Sequence, residues 1–429
     1  GARTRNRPMR IPKLLTTLRT YSWRLFRADL FAGLTVAMVA IPLSIAIAIA
    51  SGATPAAGLT TAIVAGFAIS LLGGSRVQIG GPTGAFIVVV YGVIAEHGFD
   101  GLVLATAMAG LILVIAGIFR AGRLVAFIPE AVINGFTIGI AIIIATSQIN
   151  DFLGLGIKDL PADFIEKAPV IWHHVGETSV HAVVLAVATM AGIILFRRLA
   201  PRFPGLIVAV GLGSCAVALA GLPVDTVVSR YGELPAGLPW PALPEISAAR
   251  IVELFPSAVV IAFLAAIESL LSAMVADRMI DGQYRPNAEI IAQGVANLGS
   301  AAFAGLPATG AIARTATNVR AGGRTPVAGI VHAAAILAAV LLIADIAGYL
   351  AMPCLAALLV LTAWNMSEPH RWRGYAAAPV SDRVLLLMTM TLTVLVDLTV
   401  AIGVGVAVGL AIRLRRRDIP EAKWTPPRR

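Results

Sequence analysis

Two short glycine-rich stretches carry the residues best suited to bind a charged solute. The first, "GGPTGAF", contains Pro82, Thr83, Gly84, Ala85 and Phe86. The second, "ATGAIAR", contains Thr309, Gly310, Ala311, Ile312, Ala313 and Arg314. Both lie among long apolar runs but are too short or too polar to cross a bilayer alone. Glycine permits unusual backbone conformations and proline suits a first helical turn, so each stretch predicts a half-helix that begins inside the membrane near 82 or 310.

The chemistry that these helix starts favour is anion binding. A helix start exposes free N–H groups and about half an elementary positive charge, so two convergent starts supply roughly +1. Arg314 adds a full positive charge, and Thr83 and Thr309 could add hydroxyl donors. Carboxylate, sulfate and bicarbonate oxygens accept hydrogen bonds from such groups. The alternative is that these glycines only let helices pack closely.

Glu268 is an ionisable residue in the middle of the apolar run "FLAAIESLLSAMVAD". A charged group there is costly, which makes it a functional hypothesis by default. We expect Glu268 to carry a proton coupled to solute entry, because its protonation would leave about +2 at the site, matched to a dianion. Two alternatives remain open: sodium binding by Glu268 and Ser272, and a permanent ion pair with Arg314 that only holds helices together.

An internal repeat relates the two halves of the chain. The motif at 83–86 is similar to that at 309–312, and Pro42 and Glu268, which we expect to interrupt their spans, each lie 41 positions before the respective motif. Seven predicted helices separate the copies, and an odd number inverts the second copy. Transporters built from inverted repeats place their site where paired broken helices meet near the midplane.

The composition predicts an all-α polytopic membrane protein. Of 429 residues, 58% are hydrophobic and 13% charged, with a mean hydropathy of +0.87; soluble domains have about 25% charged residues. The apolar residues form about fourteen blocks, most of them long enough to span a bilayer. The short alternating segments of a β-barrel are absent from the sequence.

The charge distribution predicts the topology and the domains. The net charge of +10 is concentrated before the first span and after the last. The positive-inside rule then places both termini in the cytoplasm. We divide the chain into a cytoplasmic amphipathic N-terminus (1–27, with one helix over 11–27), a first repeat (28–221), a proline-rich extended linker (222–250), a second repeat (251–413) and a basic tail (414–429). The basic ends indicate contact with lipid headgroups, not with nucleic acid.

Other function classes find little support in the sequence. It contains no G-x-S-x-G, P-loop or H-E-x-x-H motif, and its six histidines lack metal-ligand spacing. We therefore expect neither an enzyme nor a bound metal or cofactor. An anion channel would use the same residues in a permanently conducting pore. A nucleobase permease would need an acidic side chain for the base, a role that Arg314 fits poorly.

The stretches "GGSRVQIGGPTGAF" and "GLPATGAIARTATNVRAGGRTPVAGI" resemble the SulP sulfate-permease family of anion carriers, and the similarity extends from about 28 to 370. The resemblance implies fourteen segments in a seven-plus-seven inverted repeat, like that of the uracil permease. It further implies a core domain (segments 1–4 and 8–11) that moves against a gate domain (5–7 and 12–14). The anion site would lie between half-helices 3 and 10, with walls from segments 1 and 8. A bacterial inner-membrane location and a homodimer are also implied.

The family pattern implicates both half-helix motifs, Glu268 and Ser272. The position of Glu268 resembles that of the acid used for cation coupling in bicarbonate carriers. This sequence departs from the family at Leu43 and Ile47, where glutamine and an aromatic residue are common, so a carbon-bearing substrate also fits. The family's STAS domain would follow residue 420, and we expect a membrane domain without it. The expected function is proton-coupled symport of a C4-dicarboxylate such as fumarate, of sulfate or of bicarbonate, with sodium coupling or anion exchange as alternatives.

Overall fold

The computed structural model describes residues 11–122, 128–201, 203–396 and 398–415. The helices are α1 (Lys13–Thr17), α2 (Trp23–Ala50), α3 (Pro55–Leu72), α4 (Ile87–Ile118), α5 (Glu130–Leu153), α6 (Phe164–His174), α7 (Val180–Leu199), α8 (Gly205–Ala220), α9 (Val227–Tyr231), α10 (Ala248–Ile280), α11 (Pro286–Ala302), α12 (Ile312–Arg320), α13 (Val327–Ala347), α14 (Met352–Met366), α15 (Trp372–Ala377), α16 (Val380–Leu395) and α17 (Leu398–Arg415). Two short strands, β1 (Gly80–Gly81) and β2 (Thr309–Gly310), complete the fold.

The helices reproduce the predicted segments in both halves. Gly98 has φ 71° and ψ 178°, so it breaks α4 into two consecutive segments. The first-half segments are then α2, α3, the two parts of α4, α5, α7 and α8. Those of the second half are α10, α11, α12, α13, α14, α16 and α17. In the described part of the chain, seven helices are long and apolar enough to cross a membrane by themselves, and the remaining segments are shorter.

The segments pack as two groups. Helices α2, α3, α4 and α10 to α13 contact one another extensively, and we call them the core group. Helices α5, α7, α8, α14, α16 and α17 form the gate group in the same way. Contacts between the groups are less extensive and involve chiefly α2 with α14 and α8. This division agrees with the core and gate domains that the family resemblance implies.

Glycines bring helices of the core group into backbone contact. A Cβ placed on Gly110 in α4 would lie 2.7 Å from the Gly294 carbonyl oxygen, and one placed on Gly294 in α11 would lie 2.6 Å from the Gly110 carbonyl oxygen. Gly33 in α2 approaches the Ala328 carbonyl of α13 in the same way, at 2.6 Å. Small residues allow this close approach because association in a membrane relies on van der Waals contact. At these positions, close packing of the helices explains why the residue is glycine.

The two half-helices meet through the strands. Gly80 pairs with Gly310 and Gly81 with Thr309 in antiparallel register, and the Ala311 N–H donates to the Ile79 carbonyl at 2.8 Å. Backbone groups buried at membrane depth need such partners, since no water is present. The helices therefore begin later than predicted, with a 3₁₀ turn over Gly84–Phe86 before α4, and at Ile312 in α12. The prediction that Pro82 occupies a first helical turn is wrong, because this stretch is extended.

Three further expectations need correction. Residues 11–27 are not one helix, because the chain is extended at Tyr21 and Ser22, and the Ser22 hydroxyl caps α2. Pro42 and Glu268 do not interrupt their helices, since α2 and α10 continue through them. The linker is extended over most of its length but contains α9. Residues 1–10 and 416–429, which include most of the predicted basic tail, lie outside the described residues.

A loop helix makes a second contact between the groups. Helix α6 follows α5 of the gate group, and its residue Lys167 is only 3% exposed. The Lys167 ammonium lies 5.5 Å from the ring centroid of Tyr91 in α4 of the core group, a cation–π arrangement. The Tyr91 hydroxyl donates to the Leu160 carbonyl at 2.6 Å. Burial lowers the pKa of Lys167 to about 8, which reflects how far this contact excludes water.

The α4–α11 contact yields a stability prediction. Gly294→Val would place side-chain carbons inside the Gly110 backbone, so we expect it to destabilise the fold by about 1–3 kcal/mol. The measurement is the thermal midpoint of the detergent-solubilised protein. Gly211→Val is the matched control, because no atom lies within 4 Å of a Cβ placed there. Equal thermal midpoints for the two variants would contradict the proposed packing.

Candidate anion-binding site

The site begins where β1 pairs with β2, a place that we call the crossing. Beyond the strand pair, side chains of α12 bind the chain that leads to β1. The Thr315 hydroxyl accepts the Ile79 N–H at 3.0 Å, and the Asn318 amide donates to the Val77 carbonyl at 2.8 Å. The start of one half-helix is thus fixed to the body of the other. This places the two predicted motifs together within the core group.

Arg314 lies at the centre of this crossing. Its side chain is 1% exposed, and Nη2 donates to the Pro82 carbonyl. Its Nε and Nη1 atoms have no hydrogen-bond partner among the described residues. Across the described residues, no carboxylate lies within 4.0 Å of this guanidinium. A buried cation with unused donors is costly unless a counter-charge joins it, so the arrangement favours an anionic ligand.

Glu268 faces the first half-helix from α10. Its Oε2 accepts a hydrogen bond from the Thr83 hydroxyl at 3.0 Å, and the side chain is half-buried. No ion pair joins Glu268 to Arg314 within 4.0 Å. The alternative of a permanent contact pair that holds the helices together is therefore not what the structure shows.

Helix α10 also engages the other polar residues of the motifs. The Thr309 hydroxyl donates to the Ala265 carbonyl at 2.9 Å. The Ser272 hydroxyl donates to Thr315 Oγ1 at 3.2 Å. The hydroxyl hydrogens of Thr83 and Thr309 are thus directed to α10. In this conformation both hydroxyls are engaged with α10, and their part in solute binding stays a prediction.

The remaining predicted residues differ in exposure. Ala313 is exposed, and Ala85 and Ile312 are half-buried, so the start of α12 has an accessible side. Gly84, Phe86, Gly310 and Ala311 are buried. Gly84 lies against the gate group, since a Cβ there would be 3.0 Å from Met366 Sδ and 3.6 Å from Ile144 Cδ1. The first half-helix therefore starts at the boundary between the two groups.

Leu43 and Ile47, from α2, are 8% and 2% exposed. They belong to the apolar cluster that also contains Phe86. They pack within this cluster in this conformation, and their part in solute binding stays a prediction.

Sequence reasoning missed Thr315, Asp29 and Glu289. Asp29 is fully buried and accepts the Arg324 and Thr325 N–H groups at 2.8 and 3.1 Å, which fixes the turn after α12. Glu289 is fully buried in α11 and binds the chain before β1. One signal was available, because Glu289 and its polar neighbours recur at helical spacing along α11.

Paired broken helices from the two halves of a chain are the arrangement found in transporters built from inverted repeats. The sulfate permease family model matches residues 26–389, and the chain belongs to this family. The family consists of permeases, so the protein is not an enzyme, as the sequence predicts.

Two curated relatives illustrate the range of the family. The putative sulfate transporter YvdB of Bacillus subtilis is 44% identical over 350 residues, which cover 81% of this chain and 66% of the relative. The bicarbonate transporter BicA of Picosynechococcus is 33% identical over 354 residues, which cover 78% of this chain and 60% of the relative. The chain thus spans less than two thirds of the length of these relatives.

Solved structures confirm the predicted fold. The transmembrane domain of a cyanobacterium bicarbonate transporter BicA superposes with a TM-score of 0.78 at 29% identity, covering 91% of this chain and 98% of that one. The murine solute carrier 26 family member A9 anion transporter, in its inward-facing state, gives a TM-score of 0.84 over 95% of this chain and 72% of that one. Its 16% identity supports the fold alone. The all-α, seven-plus-seven inverted-repeat architecture is therefore established.

The position of Gly81 provides a test of the guanidinium. A Cβ on Gly81 would lie 2.5 Å from Arg314 Nη1, and Gly81 has φ +156°, so Gly81→Ala should displace the flexible end of Arg314 and also strain the local backbone. We expect the affinity for sulfate, or whichever oxyanion binds best, to fall by about tenfold, roughly 1.4 kcal/mol. Isothermal titration calorimetry on the purified protein measures this change.

The matched control for Gly81→Ala is Gly156→Ala, which also replaces a glycine of positive φ but places a Cβ where, among the described residues, no atom lies within 4 Å. An unchanged affinity in Gly81→Ala would show that the position of the Arg314 guanidinium does not determine anion binding.

Proposed function

We propose that this protein is a secondary active transporter of a small oxyanion and that the crossing of β1 and β2 is its binding site. The observation that supports this most directly is Arg314, which is fully buried and has two unpartnered nitrogens. The starts of the two half-helices add N–H donors and positive dipole ends at the same place. Membership of the sulfate permease family supports the same function.

Alternating access is the proposed mode of transport. Arg314, Glu268 and both half-helices belong to the core group, whereas Met366 and Ile144, which abut Gly84, belong to the gate group. Movement of one group along the other would change which side of the membrane reaches the site. The less extensive contact between the groups supports such a movement, because rigid bodies slide where few side chains interlock.

Sulfate and bicarbonate are the foremost candidate substrates, and a C4-dicarboxylate such as fumarate is the second. The first two are supported by the relatives that carry those names. The third is supported by the small apolar side chains at the half-helix starts, Ala85, Ala311 and Ala313, whose character suits a carbon skeleton. All three share the oxyanion chemistry that a guanidinium and N–H groups recognise.

The proposed energy source is the proton gradient across the membrane, coupled to transport through Glu268. The half-buried carboxylate of Glu268 accepts a hydrogen bond from Thr83. It lies on α10, which packs against α12, the helix that carries Arg314. Protonation of Glu268 would leave the charge of Arg314 uncompensated, so a proton and an anion would bind favourably together. Sodium is the alternative, with Glu268 as an oxygen ligand; the Ser272 hydroxyl is already engaged with Thr315.

For its location, we propose the bacterial inner membrane, with both termini in the cytoplasm. The arginine-rich sequences that flank the first and last spans support this orientation. A homodimer within the bilayer remains a prediction from the family resemblance.

The anion site is tested by Arg314→Gln in proteoliposomes. Loss of the buried cation should lower uptake of labelled sulfate, bicarbonate and fumarate alike by at least about tenfold, since charge-assisted hydrogen bonds are the strong ones. Arg324→Gln is the control, because that residue is exposed and belongs to the same region of the chain. Uptake that survives Arg314→Gln would refute the site, and large non-saturating anion currents would indicate a channel.

The coupling is tested by Glu268→Gln. In the unaltered protein, a more acidic exterior should drive accumulation of the anion, because each anion enters with protons. The glutamine variant cannot exchange that proton, so a pH gradient should no longer drive accumulation, although anion exchange continues. Uptake at fixed pH with an imposed sodium gradient distinguishes sodium coupling. A response to the pH gradient that persists in Glu268→Gln would exclude Glu268 as the proton carrier.

A further inference from the structure

One face of α11 carries a row of buried polar side chains. Glu289, Gln293, Asn297 and Ser300 are spaced four, four and three residues apart, so they lie on the same side of the helix. All four are 0% exposed. Polar side chains inside a membrane protein are costly unless their hydrogen bonds are satisfied, so this row must serve particular partners.

The first partner is the segment that leads to β1, residues 73–79, which we call the first approach segment. Glu289 Oε2 accepts the N–H groups of Gly74 and Ser75 at 2.8 and 3.0 Å. Glu289 Oε1 accepts the side-chain amides of Gln78 and Gln293 at 2.6 and 2.9 Å. One carboxylate with four donors is fully engaged, so it is not available to bind a solute.

The second partner is the segment that leads to β2, residues 303–308, or the second approach segment. Asn297 binds Ala308 twice, by donating to its carbonyl and accepting its N–H, both at 2.9 Å. The Ser300 hydroxyl donates to the Leu306 carbonyl at 2.6 Å. The same helix face therefore holds both segments, although they come from opposite halves of the chain.

Gln78 connects the row to the crossing itself. A Cβ placed on Gly310 would lie 2.3 Å from Gln78 Nε2, so the amide that binds Glu289 rests directly against β2. Gly310 in turn pairs with Gly80 in β1. A displacement of the Gln78 amide would therefore change the contact between the two half-helix starts.

We propose that Glu289 and Asn297 are positioning residues for the anion site, because they fix the two approach segments to one face of α11. The proposal rests on the proposed function, since the site that they position is the one around Arg314. Although Gln78 Oε1 and Gln293 Oε1 lack partners among the described residues, the carboxylate of Glu289 is fully engaged, and charge-assisted hydrogen bonds to a carboxylate are the strong ones. Neither residue would contact the solute, because both bind the approach segments instead.

The first test is Glu289→Gln. The substitution replaces one acceptor oxygen with an NH₂ group that faces N–H donors, so the first approach segment should shift. We expect the half-saturation concentration for sulfate uptake to rise about tenfold, while the maximal rate stays within about twofold. Thr106→Val is the control, because Thr106 is 0% exposed and its hydroxyl donates to Leu102 within its own helix.

A double-mutant cycle tests the route through Gln78. If Glu289 acts through this amide, Glu289→Gln and Gln78→Ala should have non-additive effects on sulfate affinity measured by calorimetry. A purely structural role would lower the yield and thermal midpoint of Glu289→Gln and leave the sulfate affinity of the folded fraction unchanged. That result, or strict additivity in the cycle, would overturn the proposal.

A measurement that needs no anion distinguishes failure of the positioning role from failure of the proposed function. Ala313→Cys, in a background that carries Cys215→Ala and Cys354→Ala, places a thiol on the accessible side of α12. We expect Glu289→Gln to change its rate of modification by a methanethiosulfonate reagent several-fold, whereas Thr106→Val should not. Failure of the unaltered protein to bind any of the three anions would refute the proposed function, and an unchanged modification rate would refute the positioning role.

Discussion

The structure depends on how the backbone is hydrogen-bonded where the two half-helices begin. Peptide N–H and C=O groups at membrane depth have no water to bind, so every extended residue there needs a protein partner. The pairing of β1 with β2 supplies some of these partners. Thr315, Asn318, Glu289 and Asn297 supply others through their side chains. The unusual number of buried polar residues in the core group follows from this requirement.

Arg314 is different, because most of its hydrogen-bonding capacity is unused. The neighbouring backbone and hydroxyl groups are engaged with one another, whereas this guanidinium keeps two nitrogens without partners. Its position is set by the absence of a side chain at Gly81 and by the Pro82 carbonyl. The crossing thus combines an extensively hydrogen-bonded backbone with one cation that lacks partners for two of its nitrogens among the described residues, which suits the proposed binding of an anion.

Much of this architecture could be predicted because its signals are local. The hydropathy blocks, the two Thr-Gly-Ala motifs and the basic ends are visible in short windows of sequence. The exact starts of the half-helices were not, because the extended residues before Gly84 and Ile312 depend on pairing across the two halves. The directions of the Thr83 and Thr309 hydroxyls likewise depend on α10. Glu289 was missed because its backbone partners lie more than 200 positions away in the chain.

The strand pair has a consequence for the biogenesis of the protein. In the described part of the chain, the strand partners of Gly80 and Gly81 are residues 310 and 309, which the ribosome adds more than 200 residues later. Until then, the nascent chain holds an interrupted helix with unpaired peptide groups inside or beside the bilayer. The first half is therefore not a self-sufficient folding unit, and chaperoning by the insertion machinery has to last until the second half arrives.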